Sequence, residues 1–287
     1  MVPTLYGADY GMLWKTLNLK ASNTRPDLGF RAVRCSKKEE TMQKFILGPC
    51  SVENRDLFFQ VAEALYPKMQ GRDWYLKGSF DKANRTNIAS DRGPGLGESI
   101  DIFDEVRRHF PGIKLTTDIH ETWQINKLIG QVDVIQIPAF LCRQTDLVTN
   151  VACNFKRINI KKGQWMAAEQ MRYVVEKAKA ANPNCEVWVT ERGSQFGTDR
   201  LIVDFRGVEV MQEFSDAVIL DCTHSTQMSD NEVTSGDREL AKRYAQAAGI
   251  FGYDGVFIET HPNPEQAISD RDSQVELNWL ESWIDTL

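Results

Sequence analysis

Reactive side chains follow short apolar runs at the same position in eight successive units of the sequence. Cys50 comes directly after the first run, Lys77 ends the second, and Arg192 follows the sixth. A random surface would not place reactive residue types at one phase of every unit. Since the carboxyl ends of parallel strands meet at one face of a barrel, this phasing predicts a single active site.

Five of these residues are cationic: Lys77, Lys82, Arg85, Lys161 and Arg192. A lone lysine or arginine is more often a solvated loop charge. Five cations converging on one face would repel each other unless anions neutralised them. The set therefore predicts a substrate with several negative charges, phosphate and carboxylate together.

A second set, Cys50, His224, Glu259 and Asp270, combines a thiol, an imidazole and two carboxyl groups. Such a mixture suits a divalent transition ion such as Zn²⁺, Fe²⁺ or Mn²⁺ better than Mg²⁺ or Ca²⁺. Their linear spacing forms no motif. The residues alone therefore leave a second interpretation open, namely a buried cysteine, a structural histidine and two surface acids.

The elements that must position these side chains alternate between β-rich runs and amphipathic helical patterns. Strands are predicted at 45–48, 74–77, 114–117, 134–137, 157–160, 187–190, 217–220 and 255–258. Helices are predicted at 57–69, 97–109, 122–129, 145–152, 167–181, 208–214, 237–248 and 274–287. Continuous apolar strands such as 134–137 (VIQI) are typical of a parallel sheet that is buried on both faces.

Eight consecutive strand–helix units predict an α/β fold, the (β/α)₈ TIM barrel, over residues 43–287. Residues 1–42 lie outside the repeat and are predicted to form an N-terminal extension. The alternative is an open doubly wound sheet. That fold usually has a glycine-rich phosphate loop after its first strand, whereas here the first strand ends in Gly48-Pro49-Cys50.

Bulk composition excludes several classes of protein. The 287 residues carry a net charge of −6, which gives no basic surface for nucleic acid or anionic membranes. No apolar stretch approaches the roughly 20 residues that span a bilayer, and no secretory signal is evident. The six cysteines form no C-x-x-C pair, so zinc-ribbon and thioredoxin-type sites are disfavoured. These features predict a cytoplasmic enzyme.

Several segments resemble the 3-deoxy-D-manno-octulosonate 8-phosphate (KDO8P) synthases, and the match covers roughly residues 44–287. They are 48–53 (GPCSVE), 77–85 (KGSFDKANR), 117–121 (TDIHE), 136–146 (QIPAFLCRQTD), 159–164 (NIKKGQ), 191–193 (ERG), 221–225 (DCTHS) and 259–264 (ETHPNP). The resemblance implies condensation of phosphoenolpyruvate with D-arabinose 5-phosphate and water, with release of inorganic phosphate.

The resemblance also implies roles for individual residues. The residues similar to the phosphoenolpyruvate site are Lys77, Ser79, Lys82, Gln136, Lys161 and Arg192. Asn84, Arg85 and Thr86 look like the grip on the sugar and its phosphate. Phe140 and Arg143 lie in a segment that closes the site of a neighbouring subunit, which implies a homo-oligomer, typically a tetramer.

The family divides into metal-dependent members with cysteine in the first-strand motif and metal-independent members with asparagine there. Cys50 places this chain with the former. The resemblance aligns His224, Glu259 and Asp270 with the remaining ligands, so it favours the metal site over the alternative, and it places His224 among the catalytic residues.

The chain departs from the family pattern on the acceptor side, at Thr86, Asn87, Ala89 and Thr198. Hydrogen bonds to a sugar's hydroxyl groups discriminate strongly, so a different aldose phosphate remains an alternative acceptor. A DAHP synthase acting on erythrose 4-phosphate is the nearest such enzyme, although residues 83–85 (ANR) differ from its signature. A catalytically silent paralogue that binds sugar phosphates is the alternative from another class.

Overall fold

A computed structural model describes residues 44–85, 87–195, 199–230 and 233–287 of this chain. The N-terminal extension predicted for residues 1–42 lies outside the described residues, so it stays a prediction. Thr86 and Thr198, two of the departures from the family pattern, also lie outside them.

Eight parallel strands close into a barrel. They are β1 (Lys44–Gly48), β2 (Asp73–Lys77), β3 (Lys114–Asp118), β4 (Val134–Ile137), β5 (Arg157–Lys161), β6 (Glu186–Glu191), β7 (Ala217–Asp221) and β10 (Gly255–His261). Each strand pairs with the next in the chain, and β1 pairs with β10, with Leu47 opposite Ile258. This closure confirms the predicted (β/α)₈ barrel, and the open-sheet alternative is wrong.

Helices surround the barrel and separate the strands. They are α1 (Arg55–Leu65), α2 (Leu96–His109), α3 (Ile125–Leu128), α4 (Thr145–Asn154), α5 (Met171–Ala181), α6 (Gly207–Gln212), α7 (Arg238–Ala248) and α8 (Leu277–Ile284). Side-chain caps fix two of their starts, since Asn54 accepts from the Leu57 amide and Asp237 from the Leu240 amide. None of the described helices is long and apolar enough to cross a membrane. The cytoplasmic location stays a prediction.

Some local structure differs from the sequence prediction. The helix predicted over 122–129 begins as a 3₁₀ turn, Thr122–Gln124, and that over 167–181 begins as another, Ala168–Gln170. The helix predicted over 274–287 begins later, because Val275–Glu276 forms a short strand, β11, beside the end of β10. Two further short strands, β8 (Met228–Asp230) and β9 (Val233–Ser235), pair in the loop that follows β7.

Two apolar layers stabilise the barrel. The larger lies between the sheet and the helices, and the smaller fills the barrel's interior. The interior residues are Ile46, Tyr75, Val134, Trp188, Ala217, Ile219 and Phe257. The rings of Tyr75 and Trp188 meet edge to face with their centroids 5.2 Å apart. Because the interior is filled, polar side chains can gather only at the barrel's ends.

A glycine sets the distance between the first two strands at the carboxyl end of the barrel. A Cβ added at Gly48 would lie 2.1 Å from the backbone oxygen of Lys77. Any side chain there would therefore push β1 away from β2 and displace Lys77 from the barrel mouth.

Trp188→Ala should destabilise the protein strongly, because the side chain is fully buried in the barrel's interior. We expect a loss of about 3–5 kcal/mol in the free energy of unfolding, measured by urea denaturation. Trp123→Ala is the matched control, since Trp123 is 59% exposed and its loss should change stability by about 0.5 kcal/mol at most. Equal losses in the two variants would show that the interior layer does not hold the barrel.

Candidate active site

A cavity of about 620 Å³ opens at the carboxyl ends of the barrel strands. Most of the predicted site residues line it, and they come from the ends of different strands. They are Lys77, Ser79, Lys82, Asn84, Arg85, Gln136, Phe140, Lys161, Arg192, His224, Glu259 and Asp270. Parallel strands thus bring together side chains that are up to 193 positions apart, from Lys77 to Asp270, at one face of the fold.

Two predicted site residues in the described part of the chain do not line the cavity. Cys50 is buried behind Asp270, with its Sγ 3.2 Å from that residue's Oδ2. The Arg143 side chain is exposed, and its backbone carbonyl accepts a hydrogen bond from Lys177. Thr86 lies outside the described residues.

A serine hydroxyl sets two lysines of the cavity side by side. The Nζ atoms of Lys77 and Lys82 lie 2.7 Å and 3.0 Å from Ser79 Oγ. Lys82 also donates to the backbone oxygen of Cys50 at 2.7 Å. Burial alone would lower the pKa of Lys82, but the carboxylates of Glu259 and Asp118 raise it, and the net pKa lies above its ordinary value. Lys82 therefore keeps its positive charge.

Lys161 and Arg192 supply two more buried cations. Lys161 pairs with Asp221 and lies with its Nζ 3.4 Å from the ring centre of Phe257. Burial lowers the pKa values of both Lys161 and Arg192. Arg192 donates through Nη2 to Gln227 Oε1 at 2.7 Å, whereas its buried Nη1 has no hydrogen-bond partner among the described residues. An unpaired buried guanidinium nitrogen is costly, so this arginine suits an anionic ligand.

Three potential ligand atoms lie together behind the cations. Atoms of Cys50, Glu259 and Asp270 all lie within 4.8 Å of one another. Glu259 Oε2 is buried without a hydrogen-bond partner in the described part of the chain, and burial raises the pKa of the Cys50 thiol well above its usual value. A metal ion would satisfy the unpartnered oxygen of Glu259, and Cys50 Sγ and Asp270 Oδ2 offer further ligand atoms beside it, so these residues fit one.

His224 adjoins this group through Glu259. Its Nε2 lies 3.7 Å from Glu259 Oε2, and its Nδ1 lies 2.9 Å from Asp221 Oδ2. Asp221 Oδ1 also accepts from the backbone amides of Thr223 and His224, at 3.1 Å and 2.9 Å. The carboxylate therefore occupies one ring nitrogen and turns the other towards the ligand group, an arrangement typical of metal-binding histidines.

Asp221 was not assigned a role from the sequence, although it is the last residue of β7 and lies three residues before His224. Burial alone would raise its pKa, but His224 and Lys161 outweigh burial and hold the pKa well below its usual range. Asp221 is thus an anion that links Lys161, one of the cations of the cavity, to His224 beside the candidate ligand group.

A second carboxylate–imidazole pair lies at the other side of the cavity. His120 Nε2 is 3.1 Å from Asp118 Oδ2, and Asp118 Oδ1 is 3.4 Å from Lys77 Nζ. The Phe80 ring packs edge-on against His120 with the centroids 5.5 Å apart. The pair extends the charged network around Lys77, and both of its members line the cavity.

Two backbone oxygens orient the side chain of Arg85. Arg85 donates through Nε to Asp91 O at 3.0 Å and through Nη2 to Ile268 O at 2.8 Å. Asn87 and Ala89, two departures from the family pattern, are exposed and do not line the cavity. Asn87 instead accepts from the Ala89 amide at 2.9 Å in a local turn.

Asp221→Asn should weaken metal binding about 10–100-fold, because a neutral amide accepts more weakly from the ring Nδ1–H of His224 and no longer raises the basicity of Nε2. The measurement is competition for Zn²⁺ with a chromogenic chelator. Asp216→Asn is the matched control, since Asp216 precedes the same strand and bonds Lys179 and the Val187 amide away from the cavity. Equal Zn²⁺ affinities in wild type and Asp221→Asn would remove Asp221 from this role.

Comparison with known proteins supports the family resemblance seen in the motifs. Residues 33–286 match the model of the DAHP synthetase I family. A 2-dehydro-3-deoxyphosphooctonate aldolase of Helicobacter acinonychis (strain Sheeba) is 41% identical over 268 residues, 88% of this chain and 96% of that protein. The protein of the same name from Campylobacter jejuni subsp. jejuni serotype O:23/36 (strain 81-176) is 44% identical over 263 residues, 86% and 96% of the two chains.

A third such aldolase, from Helicobacter hepaticus (strain ATCC 51449 / 3B1), is 42% identical over 254 residues, 84% of this chain and 93% of that protein. This enzyme name is another name for the KDO8P synthases, so the predicted resemblance is confirmed. The matches to these three proteins cover 84–88% of this chain. The chain therefore belongs to the DAHP synthetase I family, in which the relatives it resembles are 2-dehydro-3-deoxyphosphooctonate aldolases.

Proposed function

We propose that this chain is a KDO8P synthase, which condenses phosphoenolpyruvate with D-arabinose 5-phosphate and water and releases inorganic phosphate. The observation that carries the proposal is the convergence of four buried or half-buried cations on one cavity beside a candidate metal group. They are Lys77, Lys82, Lys161 and Arg192. The names of the relatives agree with this activity.

The cations fit the charge of phosphoenolpyruvate. This donor carries a phosphate and a carboxylate on three carbons, so several cations must meet it within a small volume. The orphaned Arg192 Nη1 and the ammonium groups of Lys77 and Lys82 offer donors that need no rearrangement. Preorganised cations of this kind would also stabilise the charge that develops as the carbon–oxygen bond to phosphate breaks.

The group of Cys50, Glu259 and Asp270, with His224 beside it, would hold a divalent transition ion such as Zn²⁺, Fe²⁺ or Mn²⁺. When bound, the ion would supply Lewis-acid positioning of water and aldehyde. The residues of the chain contribute the rest. Asp221 orients His224, and the buried network excludes bulk water from the back of the cavity.

Arg85 and Asn84, with Thr86, would hold the sugar phosphate at the outer part of the cavity. Arg85 is already oriented by two backbone oxygens, which leave its remaining guanidinium donors for an anion. Because Asn87 and Ala89 lie away from the cavity lining, their departure from the family pattern does not by itself exclude D-arabinose 5-phosphate as the acceptor.

The deciding experiment measures phosphate release from phosphoenolpyruvate with arabinose, erythrose or ribose phosphate as the acceptor. We expect turnover with D-arabinose 5-phosphate, loss of turnover after chelation, and recovery with Mn²⁺ or Zn²⁺. Lys161→Met should abolish turnover, whereas Lys127→Met, which changes an exposed lysine on α3 away from the cavity, should retain it. Turnover with erythrose 4-phosphate alone would assign a DAHP synthase, and full activity after chelation would contradict the metal site.

An exposed aromatic pair lies at the rim of the cavity. Phe140 is 57% exposed and stacks on Trp165, which is 42% exposed, with the ring centres 6.3 Å apart. Adjacent exposed aromatic rings are typical of a protein interface. We propose that they lie between subunits of a homo-oligomer, a tetramer, in which Phe140 and Arg143 reach the neighbouring site.

Phe140→Ala combined with Arg143→Ala should shift the protein towards smaller species in sedimentation velocity and lower turnover at the same time. Phe251→Ala is the matched control, because Phe251 is 45% exposed and stacks on Phe205 in the same way, yet it does not line the cavity. A monomeric wild type would remove the oligomer proposal.

A further inference from the structure

Gln227 ends the turn that carries His224. Its backbone amide donates to the His224 carbonyl at 3.3 Å, and its own carbonyl accepts from the Leu201 amide at 3.3 Å. The first bond closes the turn within the loop after β7, and the second joins this loop to the loop after β6. The backbone of Gln227 is therefore held in place by the chain on both sides of the cavity.

The side-chain amide of Gln227 bridges two charged groups. Its Oε1 accepts from Arg192 Nη2 at 2.7 Å, and its Nε2 donates to Asp270 Oδ1 at 2.9 Å. A guanidinium only donates hydrogen bonds and an ionised carboxylate only accepts them. The amide therefore has one orientation that satisfies both partners, and it cannot rotate without losing both bonds.

The two oxygens of Asp270 face different neighbours. Oδ2 lies 3.2 Å from Cys50 Sγ, within the candidate metal group, whereas Oδ1 accepts from Gln227. Asp270 has a backbone φ of 47°, in the left-handed region that residues other than glycine seldom occupy. Its backbone carbonyl accepts from the amides of Ser273 and Gln274, while the bond from Gln227 to Oδ1 orients the carboxylate and leaves Oδ2 facing the candidate metal group.

Arg192 depends on Gln227 in the same way. Its Nη1 has no hydrogen-bond partner among the described residues, so Nη2 makes the contact that orients the guanidinium in the cavity. Removing the amide would release Arg192 and Asp270 together. The bridge therefore connects the donor-binding cations to the metal ligands through two consecutive short hydrogen bonds.

We propose that Gln227 is a positioning residue that makes metal binding and phosphoenolpyruvate binding depend on each other. A metal that fixes Asp270 also fixes Gln227 and Arg192, so phosphoenolpyruvate binds more tightly to the metal-loaded protein. By linkage, phosphoenolpyruvate increases the affinity for metal by the same factor. This inference rests on the proposed function, because it takes Arg192 to bind the donor and Asp270 to bind a metal.

The test compares wild type with Gln227→Met, which keeps the length of the side chain and removes both hydrogen bonds. The dissociation constant of phosphoenolpyruvate is measured by calorimetry on metal-free and Zn²⁺-loaded protein, without acceptor sugar. In wild type, Zn²⁺ should tighten donor binding about fivefold or more. In Gln227→Met this ratio should fall to about one, and Zn²⁺ affinity by chelator competition should fall about 10–100-fold.

Two further variants separate positioning from a general loss of structure. Gln212→Met is the matched control, since the Gln212 amide also bridges two oxygens, those of Gly252 and Asp254, outside the cavity. It should keep the wild-type ratio. Gln227→Asn retains an amide, but its side chain is one methylene too short to reach both partners. The ratio of its phosphoenolpyruvate dissociation constants without and with Zn²⁺ should therefore fall to about one, as in Gln227→Met.

Several outcomes would overturn the inference. An equal ratio in wild type and Gln227→Met, or a wild-type ratio near one with both ligands bound, would show that the amide does not couple the sites. Loss of the Co²⁺–thiolate absorption band in Co²⁺-saturated Gln227→Met would show that the variant disrupts the Cys50 site itself. A wild type that binds no phosphoenolpyruvate would instead contradict the proposed function, and the coupling with it.

Discussion

The buried carboxylate of Asp221 is the interaction on which the arrangement of the cavity depends. It ends β7 and accepts hydrogen bonds from Lys161 and from the His224 imidazole. It also accepts from the backbone amides of Thr223 and His224, in the turn that follows β7. Burying a charge without partners would cost several kcal/mol, and here every lone-pair direction faces a donor. Because the same carboxylate contacts both Lys161 and the His224 imidazole, these two side chains cannot be placed independently of each other.

Charge balance explains why the rest of the cavity has the composition it does. The lysines and Arg192 lie close enough to repel one another, and Asp118 and Asp221 neutralise part of that repulsion. The ligand group of Cys50, Glu259 and Asp270 adds negative charge behind them. The charge that these pairs do not neutralise is divided between two regions. Positively charged hydrogen-bond donors face the cavity, and buried acceptor atoms without a partner among the described residues lie behind them. Such a division suits a dianionic donor in front and a cation behind.

The barrel provides the rigidity that this balance requires. Trp188, Tyr75 and Phe257 fill its interior, so the strand ends cannot collapse inward, and Phe257 forms the apolar floor beneath Lys161. The loop that carries Asp270 leads into β11, and the pairing of β11 with β10 holds this part of the chain beside the candidate metal group. Gln227 then joins this loop to Arg192 across the mouth. Strands thus carry Lys77, Lys161 and Glu259, while the other cations and candidate metal ligands lie in the short segments that follow the strands.

The sequence by itself determined the alternation of strands and helices, which predicts a barrel, since apolar runs such as 134–137 are typical of a parallel sheet covered on both faces. It also determined that the reactive residues share one face, because strand ends meet there. The tertiary structure alone decided which of them touch. Cys50 is buried beside Asp270 and does not line the cavity, and the exposed Arg143 does not line it either. Asp221 and Gln227 each bond two charged or polar side chains of the site, although nothing in their local sequence required it. The physical reason is that bonds such as Arg192–Gln227 and Cys50–Asp270 join positions 35 and 220 residues apart, and only the closed barrel sets their distances.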